Sequence, residues 1–163
     1  MSILGIDPGL KRTGWGIVNY ENQKLVYIDS GIIESKSSDK IEHRLLNIDN
    51  SLSNIIKRYS IKTVAIEEVF VNLNPKTSLL LGMARGVIIS TCARNSLSIS
   101  EYSPNKIKKS LTGNGHAKKE QVEAMIKILL PKSNTKFHDE ADALATAITF
   151  NYINSTQSKW QRY

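Results

Sequence analysis

The chain has 163 residues, of which 40% are hydrophobic and 23% charged, proportions that suit one domain with its own core and exclude disordered, collagen-like and coiled-coil classes. Its 22 Lys and Arg against 15 Asp and Glu give a net charge of +7, which disfavours basic partners and leaves nucleic acid, an anionic membrane surface or a merely basic exterior open. One cysteine, Cys92, permits no internal disulfide; the first apolar run ends at Asp7, too short for a signal-peptide core, and the longest, residues 79–89, is broken by Arg85 and is too short for a membrane span, so a reducing, cytoplasmic setting is expected.

In chain order, residues 3–6 form a short apolar run ending in Asp7-Pro8-Gly9, a strand and its turn. Segments 13–20 and 25–35 are rich in Ile, Val, Tyr and Gly and are separated by a polar stretch at 21–24, so the first three strands predict an antiparallel meander. Ile41, Leu45, Ile48, Leu52 and Ile55 then step by 4, 3, 4 and 3, which predicts an amphipathic helix over 40–59. Segment 63–70 is β-branched and apolar on both faces, as a strand inside a sheet would be. A long helix with broad apolar coverage follows at 77–95, a weaker strand at 97–102, a short helix at 104–111 and a turn at 112–115. Val122, Met125, Ile126 and Leu129 mark another helix, and Ala141, Leu144, Ala145, Ile148 and Tyr152 the last. Strands first and then alternating strand and helix predict an α/β fold, a mixed sheet with helices packed on it, over 1–154. The polar segment 155–163 reads as a short loose tail.

Several acids stand where a core is expected. Asp7 ends an apolar strand, and taken alone it suits the turn before Pro8-Gly9. Glu67 and Glu68 interrupt an apolar strand; successive side chains point to opposite faces, so only one of them can share a side with a given partner. A carboxylate in such a strand is costly unless paired, protonated or metal-bound, although an acid at a strand end can simply face water. Asp139 and Asp142 are three apart in the last helix, within about 60° on the wheel, while Ala141, Leu144, Ala145 and Ile148 centre roughly 140° away. Both can point off one edge of a helix packed on the sheet, or serve the helix dipole in a first turn. Together the set comes from three separated elements. Converging carboxylates would repel without a cation, and hard oxygen donors suit Mg²⁺ or Mn²⁺; two such ions serve phosphodiester cleavage.

The cations are unevenly spread. No acid lies between Glu68 and Glu101, where Lys76, Arg85 and Arg94 occur, and none from 104 to 119, which holds Lys106, Lys108, Lys109, Lys118 and Lys119. Such runs around a Gly-Asn-Gly turn suit a nucleic-acid backbone, or an ordinary solvated face. Phe70, at a strand exit, would stack on a base or close the core. Gly113-Asn114-Gly115 before Lys118-Lys119 lacks the spacing of a P-loop. His138 precedes Asp139 and could assist the acids.

Four segments carry a family resemblance: Gly5-Ile6-Asp7-Pro8-Gly9 followed by Thr13-Gly14-Trp15-Gly16, Ala65-Ile66-Glu67-Glu68-Val69-Phe70, Leu81-Gly82-Met83-Ala84-Arg85-Gly86, and Asp139-Glu140-Ala141-Asp142-Ala143-Leu144-Ala145. In this order and spacing, over nearly the whole chain, they resemble the bacterial RuvC family. The resemblance implies a ribonuclease H-like fold, with a mixed five-stranded sheet flanked by helices. It implies a homodimeric Holliday junction resolvase that uses two Mg²⁺ or Mn²⁺ ions and nicks opposing strands symmetrically in DNA recombination and repair. Carried over by position, Asp7, Glu67, Asp139 and Asp142 would be the catalytic, metal-holding acids, with Lys108 and Lys119 beside them in catalysis and DNA contact. Phe70 would stack near the junction centre, the helix containing 79–89 would form the dimer, and Lys76, Arg85, Lys106, Lys109 and Lys118 are candidate DNA contacts. Branch-migration proteins of the RuvA and RuvB type are possible partners. Glu68 departs from the neutral residue of some relatives. Two rival readings stay open, a YqgF-like RNA-processing nuclease of the same fold and a non-catalytic DNA-binding module.

Overall fold

The computed structural model describes residues 1–69 and 74–160, the last five of them by backbone only. The elements are β1 (Ser2–Asp7), β2 (Arg12–Glu21), β3 (Lys24–Glu34), α1 (Ile41–Arg58), β4 (Thr63–Glu67), α2 (Pro75–Arg94), β5 (Ser98–Tyr102), α3 (Pro104–Thr112), α4 (Lys119–Leu129) and α5 (His138–Trp160). The five strands form one sheet in the order β3-β2-β1-β4-β5. The β1–β2 and β2–β3 pairs are antiparallel, and β1–β4 and β4–β5 are parallel. This is the mixed ribonuclease H-like sheet that the sequence predicts, and β1 is central to it.

Strand alternation sorts the side chains into two cores. Ile3, Val18, Ala65 and Tyr102 pack with residues of α3, α4 and α5. Leu4, Ile6, Ile17, Val64 and Ile66 pack on the other face with α1 and α2. The apolar stripe of α1 is seated there through Ile48, Leu52 and Ile56. Asp7 continues the Ile3 row and Glu67 the Ala65 row, so both fall on the α5 side of the sheet. Local signals fix the helix starts: Asn74 caps α2 by accepting from the backbone of Lys76 and Thr77, and Ser103 caps α3, each just before a proline.

Helix α5 crosses β1 and β2 at backbone contact. A Cβ on Gly5 would lie 1.9 Å from the Ala143 carbonyl oxygen, and one on Gly14 would lie 2.0 Å from that of Asp139. Gly14 is also the register partner of Asp7. The two glycines therefore let the start of α5 settle on the strand end that carries Asp7.

Two expected boundaries move. Strand β4 stops at Glu67, short of residue 70, because beyond it the ladder to β5 closes with one last bond, from the Glu68 amide to the Tyr102 carbonyl. Helix α5 runs to Trp160 through the segment expected to be loose, since residues 155–160 contain neither Gly nor Pro to end it. No described helix is long and apolar enough to cross a membrane.

Candidate active site

Asp7 and Glu67 end neighbouring parallel strands on the same face, and Asp139 and Asp142 occupy the first turns of the helix that lies over them. Asp7 feels the charges of the other three, and Glu67 that of Asp142. Burial, foremost, and then the charges of Glu67, Asp142 and Asp139 push the Asp7 carboxyl up to about 8, with Lys119 acting in the opposite sense. Burial and then the Asp142 charge push Glu67 up to about 7, against Lys108 and Lys119. Burial disfavours the charged form, and like charges add to that cost. The four acids that the sequence singles out are thus one cluster.

Lys119, the first residue of α4, places Nζ 3.1 Å from Asp142 Oδ2. Lys108 comes from α3. Glu67, Lys108, Lys119 and Asp142 line a cavity of about 230 Å³, whose remaining wall is Pro104, Ile107, Val122 and Ala145. The cavity is acid on the sheet side and basic on the α3–α4 side, a suitable division for holding a cation and a phosphate together.

Among the described residues no three His, Cys, Asp or Glu side chains are drawn together as ligands of one ion. One of the four carboxylates, Asp142, is instead paired with the Lys119 ammonium. The donor set nevertheless fits a hard divalent cation. It is all oxygen, it is partly buried, and two of its members carry raised pKa values that an ion would reverse.

The other candidates are distributed unequally. Lys106 places Nζ 5.1 Å from the centroid of the Tyr102 ring, while Lys76, Lys109 and Lys118 are exposed. Arg85 is engaged inside the molecule: its Nη2 lies 2.6 and 2.8 Å from the two Glu101 carboxylate oxygens and its Nε 2.9 Å from one of them, which ties α2 to β5. Its expected role as a phosphate contact therefore meets a guanidinium already paired. His138 Nδ1 lies 2.6 Å from Glu123, linking α5 to α4. Phe70 lies outside the described residues. Glu101 and Glu123 went unused in the sequence reading. For Glu101 the available signal was an acid inside a strand, as at Glu67; for Glu123 there was none, since an acid on an exposed helix face is ordinary.

Comparison with known proteins identifies the family. Residues 3–150 match the family model described as crossover junction endodeoxyribonuclease RuvC. The protein of that name from Beijerinckia indica is 48% identical over 149 residues, covering 91% of this chain and 85% of its own length. That from Rickettsia akari is 49% identical over 150 residues, covering 91% and 96%. Among solved structures, Thermus thermophilus RuvC in complex with Holliday junction substrate superposes with a TM-score of 0.90 at 26% identity, covering 96% of each chain. Sheet order, acid placement and sequence converge on one conclusion: the chain belongs to the RuvC family of crossover junction endodeoxyribonucleases.

Proposed function

We propose that this protein is a Holliday junction resolvase that cuts four-way DNA junctions by paired, symmetric phosphodiester hydrolysis during recombination and repair. One observation carries the reading. Two half-buried acids, Asp7 and Glu67, end adjacent parallel strands beneath two more on α5, and Lys108 and Lys119 line one cavity with Glu67 and Asp142. A DNA-binding module needs the cations but has no use for the half-buried acids.

Asp7, Glu67, Asp139 and Asp142 would hold Mg²⁺ or Mn²⁺, two ions in all. When bound, such ions activate water and neutralise charge on the leaving oxygen. Asp7 must be ionised to serve, and a cation overcomes the burial that keeps it protonated. Lys119, released from Asp142, and Lys108 stabilise charge building on the phosphate. Lys76, Lys106, Lys109 and Lys118 contact the backbone, with Phe70 stacking at the junction centre. Two copies meet through α2, which exposes Leu79 and Met83 at 61% and 39%, and each copy supplies one site. Branch-migration proteins of the RuvA and RuvB type are the expected partners, in the cytoplasm.

The test incubates the protein with a mobile synthetic four-way junction, a linear duplex and a structured RNA, each with and without Mg²⁺. Symmetric nicks in the junction alone, only with Mg²⁺, are expected. Cleavage of RNA alone would favour the YqgF-like reading, and binding without cleavage the non-catalytic one.

A further inference from the structure

A second feature stands on the shoulder of the acids. Phe137 immediately precedes α5 and is 37% exposed. The Arg12 guanidinium carbon lies 4.8 Å from its ring centroid. Arg12 begins β2, two residues before Gly14, and the Asp139 carbonyl rests on Gly14. The pair is thereby fixed to the same two backbone segments that position Asp7 and Asp139. Glu34 engages Arg12 through Nε at 3.1 Å, and among the described residues neither Nη nitrogen has a hydrogen bond. Phe137 also lines a cavity of about 160 Å³, whose polar wall is Lys127, Ser133, Thr135, Lys136 and the paired Glu123 and His138. The ring is held by a cation on one side and opens on a polar cavity.

We propose that Arg12, Phe137 and this cavity form a subsite for one nucleotide of the strand entering the acidic site, resting on the junction-cleaving reading above. The nucleobase stacks on Phe137 in the cavity, where Thr135 and Lys136 offer hydrogen-bonding groups, and Arg12 takes an adjacent phosphate. Stacking on an aromatic tolerates any base, whereas polar groups beside it discriminate. The subsite therefore contributes to the choice of cleavage sequence.

The experiment measures binding of the full-length protein to a four-way junction in EDTA across a range of salt, with 2-aminopurine placed at successive positions near the crossover. Arg12→Gln is expected to flatten the slope of log K against log salt by about 0.7–0.9, one phosphate contact. Phe137→Leu is expected to weaken binding about fivefold or more, leave that slope unchanged and abolish the 2-aminopurine quenching seen at one position with the wild type. Phe137→Trp restores both. Binding by both variants within twofold of wild type overturns the subsite, as does a flattened slope in Phe137→Leu. If Phe137→Leu lowers the melting temperature, Phe137→Trp decides: loss of quenching in a stable Trp variant also overturns it. A wild type that fails to bind the junction overturns the function proposed above, a result distinct from variants that bind as the wild type does.

Discussion

Asp7 is the side chain at which the proposed chemistry and the stability of the fold meet. Its carboxyl is raised to about 8 and that of Glu67 to about 7, so the folded chain keeps protons that the unfolded chain sheds near pH 4. The stability linked to these groups is full below about pH 4, is lost progressively as pH rises from there, and is gone once pH has passed 7 and 8. Without divalent cations the urea midpoint should therefore fall between pH 6 and pH 9, and Asp7→Asn should flatten that fall; a midpoint that rises over this range would sink the account. In the presence of Mg²⁺, Asp7→Asn should abolish cleavage and retain junction binding, measured by gel shift. Lys119→Met should slow single-turnover cleavage by roughly 10²–10³-fold, the loss typical of one donor to a developing charge. Asp7 and one of the pair Glu67 and Glu68 were legible because an acid in an apolar strand is costly and therefore conspicuous, while the choice of Glu67 rested on the family resemblance. The ion pair of Lys119 with Asp142 was not legible, since it joins residues 23 apart in sequence and no local pattern encodes it.

At the level of elements, the seat of α5 decides where Asp139 and Asp142 point. Gly5→Ala and Gly14→Ala each drive a methyl into a helix carbonyl. Each should lower stability by about 1–3 kcal/mol and reduce cleavage further by lifting α5 off the strand ends. Gly82→Ala is the contrast: nothing of the same chain lies within 4 Å of a Cβ there, so in the monomer the same substitution should add about 0.5–1 kcal/mol through helix propensity. Chemical denaturation of the three variants reads both signs. The helical wheel was enough to send both aspartates to one edge of α5, and the 4-3 spacing in α1 was equally readable. The depth at which α5 sits was not, because it depends on two glycines in other elements. Past Ser155 the sequence misleads: a polar composition suggests a tail, whereas a helix already propagating needs a breaker to stop.

For the whole molecule, one chain offers one acid cluster, and two coordinated cuts call for two chains. The exposed Leu79 and Met83 of α2, with open space around Gly82 and Gly86, are the surface suited to this. If two copies pair through this surface as proposed, Met83→Asp should leave only monomer in sedimentation and turn paired nicks into single, uncorrelated ones. The net charge was readable from composition, and its division into a basic rim and an acidic hollow from the gaps between acids. That Arg85 is paired with Glu101 was beyond reach, as a cation in a basic run looks like any other. In a two-fold assembly built on α2, the bidentate grip of Arg85 on Glu101 acquires a geometric meaning. It fastens the helix shared between copies to the strand beside β4, whose last residue is Glu67. The span between the two blades is then gauged by a contact that need touch no DNA, and loosening it would alter where the second cut falls relative to the first while leaving the chemistry of each intact.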